Sequence, residues 1–259
     1  MSQPALIESL KTRLRSESDS GKHAQYQVLP AELSRLLGGD MHQPSSRYEQ
    51  QRFDYIAQRV DFKNNVVADI GCNMGFFAFS SLMAGAKKVI CYEGTRPHAE
   101  FVKDCATLLG REASCEVHAR YFEFINEQLD VDTAILLNVL HHLGDDYGDS
   151  QLNREQARKE IITHLNSMQG KCRTLIFQLG FNWRGDRNLP LFATGTKAEL
   201  IEYVTTHTSP WWDIEHIGIA VNMNGTIVYQ DMNDENIARR DDLGEFLNRP
   251  VFILRSKQR

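Results

Sequence analysis

Within the stretch Val67–Phe77, VADIGCNMGFF, an acid, a cysteine, an asparagine and two glycines fall on one turn between a β-branched run and an apolar run. Asp69 sits near the end of the first run, Gly71, Cys72, Asn73, Met74 and Gly75 form the turn, and Phe76–Ala84 can continue as a helix. In an open α/β sheet, ligands bind at the carboxyl ends of the strands, which is where this turn would lie. Gly71 and Gly75 have no Cβ, so the backbone can approach a ligand closely. The helix N-terminus adds unpaired N–H groups. Glu93 ends the next strand-like run, 24 residues after Asp69, about where an acid takes ribose hydroxyls in nucleotide-binding folds. A hydrogen bond to a charged group of that kind contributes about 1.5–3 kcal/mol.

Two cofactors compete for such a turn. A dinucleotide needs G-x-G-x-x-G, whose third glycine lets helix and strand pack around a pyrophosphate. Here the spacing is G-x-x-x-G, with Asn73 in place of the second glycine, and Asp69 would repel a pyrophosphate. An acid at that position suits a ligand with a cationic amino group. S-adenosylmethionine has that group and a ribose but no phosphate, so the residues favour it over NAD.

The elements that must position these residues follow from local pattern. Asn65–Gly71, Lys88–Tyr92, Cys115–Tyr121, Thr133–Val139 and Arg173–Leu179 are short apolar runs bounded by turn residues, and they read as strands. Between them, Phe76–Ala84, the segment from Thr95 to about Leu109, and Asn153–Asn166 read as helices. Alternation of this kind predicts an α/β, doubly wound, mostly parallel sheet. Upstream, Ala5–Leu14 and Pro30–Leu37 can form short helices, the latter stopped by Gly38-Gly39. A firmer helix begins after Ser45 or Ser46 and carries Phe53, Ile56, Ala57 and Val60 at helical spacing. Downstream, Lys197–Thr206 reads as a helix, and Trp212–Ala220 and Thr226–Gln230 as strands joined by Asn222–Gly225, with an Asn-Gly hairpin signal. Arg249–Ser256 reads as a last strand, so the sheet should end in antiparallel edge strands.

The string D-I-G-C-N-M-G-F-F, followed by an acid at the end of the second strand, resembles the class I (Rossmann-like) S-adenosylmethionine-dependent methyltransferases over about residues 48–180. The resemblance implies that Asp69, Gly71, Cys72, Asn73 and Gly75 line the methionine part of the cofactor and that Glu93 holds the ribose. Many members carry an acid facing adenine after the third strand. Here the run is His118–Phe122, with no acid until Glu123, so backbone and aromatic contacts around Arg120, Tyr121 and Phe122 are expected instead. The helix before the first strand often closes over the cofactor in this superfamily, which makes Tyr48 or Arg47 a candidate contact. The fourth strand ends in Asn138-Val139-Leu140-His141-His142, where the resemblance places Asn138 at the cofactor and a histidine at the acceptor. Histidine can act as general base because its pKa lies near working pH, so His141 and His142 are the catalytic candidates. A His141, His142, Asp145, Asp146 metal site is disfavoured by the short loop spacing, and no metal is assigned.

Residues 1–45 read as a helical appendage and residues 46–259 as a methyltransferase domain, its cofactor core at 46–180 and its acceptor-side and edge-strand region at 181–259. Trp183, Arg184 and Arg187 follow the fifth strand, and an aromatic beside two arginines suits an anionic or sugar acceptor. Phe76 and Phe77, and the Trp211-Trp212 pair, read as core, and Arg249, Arg255, Lys257 and Arg259 as basic residues that keep a final edge strand soluble. Against 29 basic residues stand 34 acidic ones, a net charge of −5, which disfavours bulk electrostatic binding of nucleic acid. Cys72, Cys91, Cys105, Cys115 and Cys172 lack metal or disulfide spacing and read as reduced core thiols of a cytoplasmic protein. No apolar run reaches membrane-spanning length, and the first residues have no signal-peptide core. Through R-Y-E-Q-Q-R-F-D-Y-I before the first strand, H-H after the fourth and R-P-V-F-I-L at the end, the chain is loosely similar to bacterial surface-polysaccharide methyltransferases, and that resemblance implies O-methylation of a sugar, phosphosugar or other small molecule. Wobble-uridine tRNA methylation and a catalytically silent cofactor- or partner-binding domain are the alternatives.

Overall fold

The computed structural model describes residues 2–16, 28–38 and 46–258. Ser45, Gly39 and Arg259, which entered the sequence reading as a cap, a helix stop and part of the basic tail, lie outside the described residues. The chain divides into two compact units, Met1–Phe53 with Asp61–Phe122, and Asp54–Val60 with Glu123–Arg259. Among the described residues the earlier strands pair in parallel and the later ones antiparallel, as the residue pattern predicts.

The first unit carries helices α1 (Gln3–Ser16) and α2 (Ala31–Leu36), the start of α3 (Glu49–Ala57), strand β1 (Val66–Ile70), helix α4 (Phe76–Met83), strand β2 (Lys88–Tyr92), helix α5 (Arg96–Leu108) and strand β3 (Cys115–His118). The strands lie in the order β3-β2-β1, all parallel. Val67 and Ala68 of β1 are fully buried, as expected of a parallel strand covered on both faces. Residues Phe76–Leu82 of α4 are all buried, so Phe76 and Phe77 are core residues as read. Helix α1 packs on α5, where Arg13 pairs with Asp104 at 3.0 Å.

The second unit carries β4 (Val131–Leu137), α6 (Arg154–Asn166), β5 (Cys172–Gln178), α7 (Lys197–Thr208), β6 (Trp212–Met223), β7 (Thr226–Asp231), a short α8 (Gly244–Leu247) and β8 (Val251–Ser256). The order is β4-β5-β8-β6-β7. β4 and β5 are parallel, and the pairs β5–β8, β6–β8 and β6–β7 are antiparallel. Asn153 closes a reciprocal capping box with Gln156 at the start of α6. Asn224 and Gly225 both have positive φ, 54° and 88°, the geometry a two-residue hairpin turn needs to follow strand twist.

β8 departs from its expected place. It lies between β5 and β6 rather than at the edge, because Val251, Phe252, Ile253 and Leu254 are all buried and a strand of that composition needs neighbours on both sides. β7 is the outer strand of this unit. Arg249 and Arg255 are therefore not solubilising edge residues. Arg255 bonds Glu215 and Thr174, and Arg249 is only 9% exposed. Trp212 is core at 1% exposure, whereas Trp211 is 41% exposed, so the tryptophan pair is split. β3 ends at His118, three residues short of the expected Tyr121. All five cysteines are buried, and no two of them form a disulfide. Among the described residues no helix is long and apolar enough to cross a membrane.

One polar knot fixes the second half of α3 to the β6–β7 hairpin. The Tyr55 hydroxyl donates to Asp231 at 2.7 Å, and Arg59 forks onto the same carboxylate at 3.0 and 2.9 Å. Gly218 leaves room for the Tyr55 ring, since a Cβ there would stand 2.5 Å from it. Gly218→Ala should cost about 1–3 kcal/mol of stability, as overpacking does, measured by urea denaturation. An unchanged midpoint would show that the ring is free to move aside.

Candidate functional site

In the first unit the turn between β1 and α4 is built around two carboxyl groups. Asp69 is 3% exposed. The Ala78 backbone N–H, in the first turn of α4, donates to its carboxylate, while Oδ2 has no partner. Burial pushes the Asp69 pKa up to about 7, against the Ala78 bond, and nearby Glu93 pushes it the same way. Glu93, at the end of β2, accepts from the Asn73 N–H at 2.8 Å through one oxygen and from the Thr95 N–H at 2.7 Å through the other. A carboxylate has about four lone-pair sites, so Glu93 braces the turn and keeps capacity for further donors.

Asn73 takes φ 50°, and its side-chain nitrogen lies 3.4 Å from His98 Nδ1. Its Oδ1 is buried without a partner. Gly71 and Gly75 have φ 74° and 83°. A Cβ on Gly75 would stand 2.9 Å from the Phe79 ring and 3.2 Å from Val102. Glycine is thus required at position 75 by backbone hand and by the packing of α4 on α5, whether or not a ligand approaches. Cys72 is fully buried and its thiol is hydrogen-bonded to Cys91, so only its backbone can line a ligand.

At the strand ends, Tyr92 stacks on His118 with centroids 4.8 Å apart and meets Phe122 edge-on at 4.9 Å. Tyr121 lies against Gly94, where a Cβ would stand 2.0 Å from the ring, yet it is 46% exposed. Its ring covers the backbone just after Glu93 and leaves much of its surface open. Tyr48 sits at the start of α3 with φ 60°, its N–H donating to Ser46 at 2.9 Å. The adjacent Glu49 and Arg52 are buried, although charged residues at a helix start usually face water.

In the second unit the residues after β4 divide sharply. Asn138 takes φ 62°. His141 is 2% exposed, and its Nδ1 accepts from the Gly180 N–H at 3.3 Å. A Cβ on Gly180 would stand 2.8 Å from the His141 ring. His142 is half-buried, its Nδ1 3.4 Å from the Asp146 carboxylate. His142, Asp145 and Asp146 bring ligand-type atoms within 4.8 Å of one another, and His141 is not of that group. Trp183 is buried, and its indole N–H donates to the Leu143 carbonyl at 2.6 Å, bracing the loop after His142. Arg184 stacks over the Trp183 ring at 4.2 Å and donates to the Ser150 carbonyl at 2.9 Å, while its Nε is buried without a partner. Arg187 is exposed. Gln178 and Arg249 bond Asn138 at the end of β4, and Glu245 bonds Arg249 in turn; none of the three carries a motif or spacing that points to this role.

The raised Asp69 pKa has a stability consequence. A carboxyl whose folded pKa lies above its unfolded value of 3.8 stabilises the fold below that value, and the contribution is lost as pH rises through about 7. Asp69→Asn, which keeps the acceptor for Ala78, should therefore stabilise the unliganded protein at pH 8 by roughly 2–4 kcal/mol. The gain should shrink toward pH 5. Thermal denaturation of variant and wild type at both pH values checks this, and a gain over wild type no larger at pH 8 than at pH 5 would contradict it.

Neither a protein-family model nor a curated sequence matches the chain. Solved structures match it throughout. WbdD aligns over 95% of this chain at 16% identity and a TM-score of 0.57, with 46% of the WbdD chain covered, so this chain spans about half of that protein. Another structure of WbdD, a bifunctional kinase-methyltransferase, aligns at 15% identity and a TM-score of 0.51, over 95% of this chain and 46% of that one. The magnesium protoporphyrin IX methyltransferase ChlM from Synechocystis PCC 6803, solved with bound S-adenosylmethionine, aligns over 98% of this chain and 96% of its own at 12% identity and a TM-score of 0.51. The chain has the fold of the class I, Rossmann-like S-adenosylmethionine-dependent methyltransferases.

Proposed function

We propose that the protein is an S-adenosylmethionine-dependent methyltransferase that acts on a hydroxyl of a sugar, phosphosugar or other small molecule, with surface-polysaccharide synthesis as the fitting setting. The observation that carries the reading is the pair of buried acceptors without partners, Asp69 Oδ2 and Asn73 Oδ1, on a turn braced by Glu93. Leaving such atoms unmade costs about 1–3 kcal/mol each, a cost a ligand with N–H and O–H donors removes. The donor set of S-adenosylmethionine, an ammonium and two ribose hydroxyls, fits this acceptor-rich turn. Asp69 and Asn73 would hold the methionine end, Glu93 the ribose, and Tyr121 the flat base.

When bound, the cofactor supplies an electrophilic methyl group on a sulfonium. The chain supplies position and proton transfer. In the second unit, the His142 imidazole, its Nδ1 3.4 Å from the Asp146 carboxylate, would take up the hydroxyl proton. His141 holds its Nδ1 lone pair toward Gly180 and serves the packing of that loop. Arg184, flat on Trp183 with a spare buried N–H, can bind an anionic or carbohydrate group, and Arg187 adds positive charge at the surface. A net charge of −5 favours a small acceptor over a nucleic acid.

Calorimetry should show S-adenosylmethionine binding to the intact protein, lost in Asp69→Ala. Because Asp69 is neutral below about 7 and a cationic ligand needs it ionised, affinity should rise with pH up to about 7 and then level off. No binding by the wild type would overturn the reading. A radiolabelled methyl-transfer panel of sugars, phosphosugars and tRNA tests the acceptor. Turnover on tRNA alone would favour RNA modification, and binding without any turnover a silent domain. His142→Ala should lower kcat about 10²-fold or more, and His141→Ala should act mainly through stability.

A further inference from the structure

The end of β4 is held by a closed ring of hydrogen bonds. The Asn138 amide nitrogen donates to Gln178 Oε1 at 2.9 Å, the Gln178 amide nitrogen donates to the Arg249 carbonyl at 2.8 Å, and Arg249 returns through a guanidinium N–H to Asn138 Oδ1 at 2.8 Å. Gln178 is fully buried and Arg249 nearly so. The remaining guanidinium edge forks onto Glu245, at 3.1 and 2.6 Å, and Glu245 also accepts the Phe181 N–H at 3.2 Å. One arginine at the start of β8 therefore ties down the chain where it leaves both β4 and β5.

The ring acts on a residue with an unusual backbone. Asn138 is in the left-handed region, φ 62°, immediately after its N–H makes the last β4 bond to Gln178. From that turn the chain enters Val139 and the tight turn Leu140–His142. Left-handed φ at a residue other than glycine is held by its surroundings, and here both ends of the Asn138 side chain are engaged. Releasing either end frees the backbone that aims His142.

We infer that Arg249 is a positioning residue for the acceptor-side turn, acting through Asn138 on the direction of His142. The inference rests on the methyltransferase reading for its functional meaning. Lysine cannot replace the arginine, because a point charge cannot reach Asn138 and fork onto Glu245 together.

The test uses the full chain and the variants Arg249→Lys, Arg249→Met and Asn138→Gly. Amide hydrogen exchange of the unliganded protein, followed by mass spectrometry, should quicken about tenfold or more over residues 138–143 in both arginine variants, with residues 172–178 of β5 unchanged. Glycine takes left-handed φ without support, so in the Asn138→Gly background Arg249→Lys should add little to exchange at the turn. With the acceptor found in the panel, kcat of Arg249→Lys should fall about tenfold or more while the S-adenosylmethionine Kd stays within about twofold. Unchanged exchange at the turn in Arg249→Lys, exchange raised equally through β5, or fully additive effects with Asn138→Gly would each overturn the inference. Failure of the wild type to bind S-adenosylmethionine would remove the functional reading, while the exchange data would still decide whether Arg249 holds the turn.

Discussion

Burial of the Asp69 carboxyl is the constraint around which the first unit is arranged. A charged group in that position is costly, and the chain meets only part of the cost, with one helix-terminal N–H from Ala78. The rest of the local structure is arranged around that buried acceptor. Glu93 spends its oxygens on two backbone N–H groups and so fixes the turn that passes beside Asp69. Gly75 reverses the backbone hand so that α4 can begin there, with its N-terminal amides near the acid. A fold that minimised its own free energy would put an amide or an apolar residue at position 69. The retained acid carries a cost in the unliganded fold that an amide or an apolar residue would not.

The second unit solves a different problem, that of aiming side chains from irregular chain. Its loops after β4 and β5 turn on their own backbone hydrogen bonds, and side chains tie them to the rest of the unit. The Trp183 indole bonds Leu143, the His141 ring lies on Gly180, and Glu245 and Arg249 take up Phe181 and Asn138. Two neighbouring histidines consequently have unlike characters. His141 is buried between loops, and His142 is more exposed, with the Asp146 carboxylate 3.4 Å from its Nδ1.

Much of this was legible in the sequence. The turn from Asp69 to Gly75 and the acid at Glu93 announce themselves because their spacing is local and their chemistry is unusual for a strand–helix junction. Strand and helix types followed from period and turn residues, with errors of a few residues at the ends. What sequence could not show depended on long-range pairing. Arg249 lies 111 residues from Asn138, and nothing in R-P-V-F-I-L says whether the strand is at an edge or between neighbours. The strand's four buried apolar residues in a row were the available clue, since an edge strand would alternate. The split of His141 from His142 was equally hidden, because it is decided by Gly180, which approaches only in the folded unit.

The interior place of β8 has a consequence for synthesis. The strand made last among the eight is the one that joins β5 to β6, so while the chain leaves the ribosome those strands have no partner on that side. The β3-β2-β1 order is complete in sequence long before. A nascent chain would thus hold an early set of paired strands and a later set in which β5 and β6 each present an open edge, the surface on which unfinished proteins associate. Loss of a handful of residues around Val251–Ser256 would leave the same edges open permanently, and the expected outcome is aggregation rather than a merely less active protein.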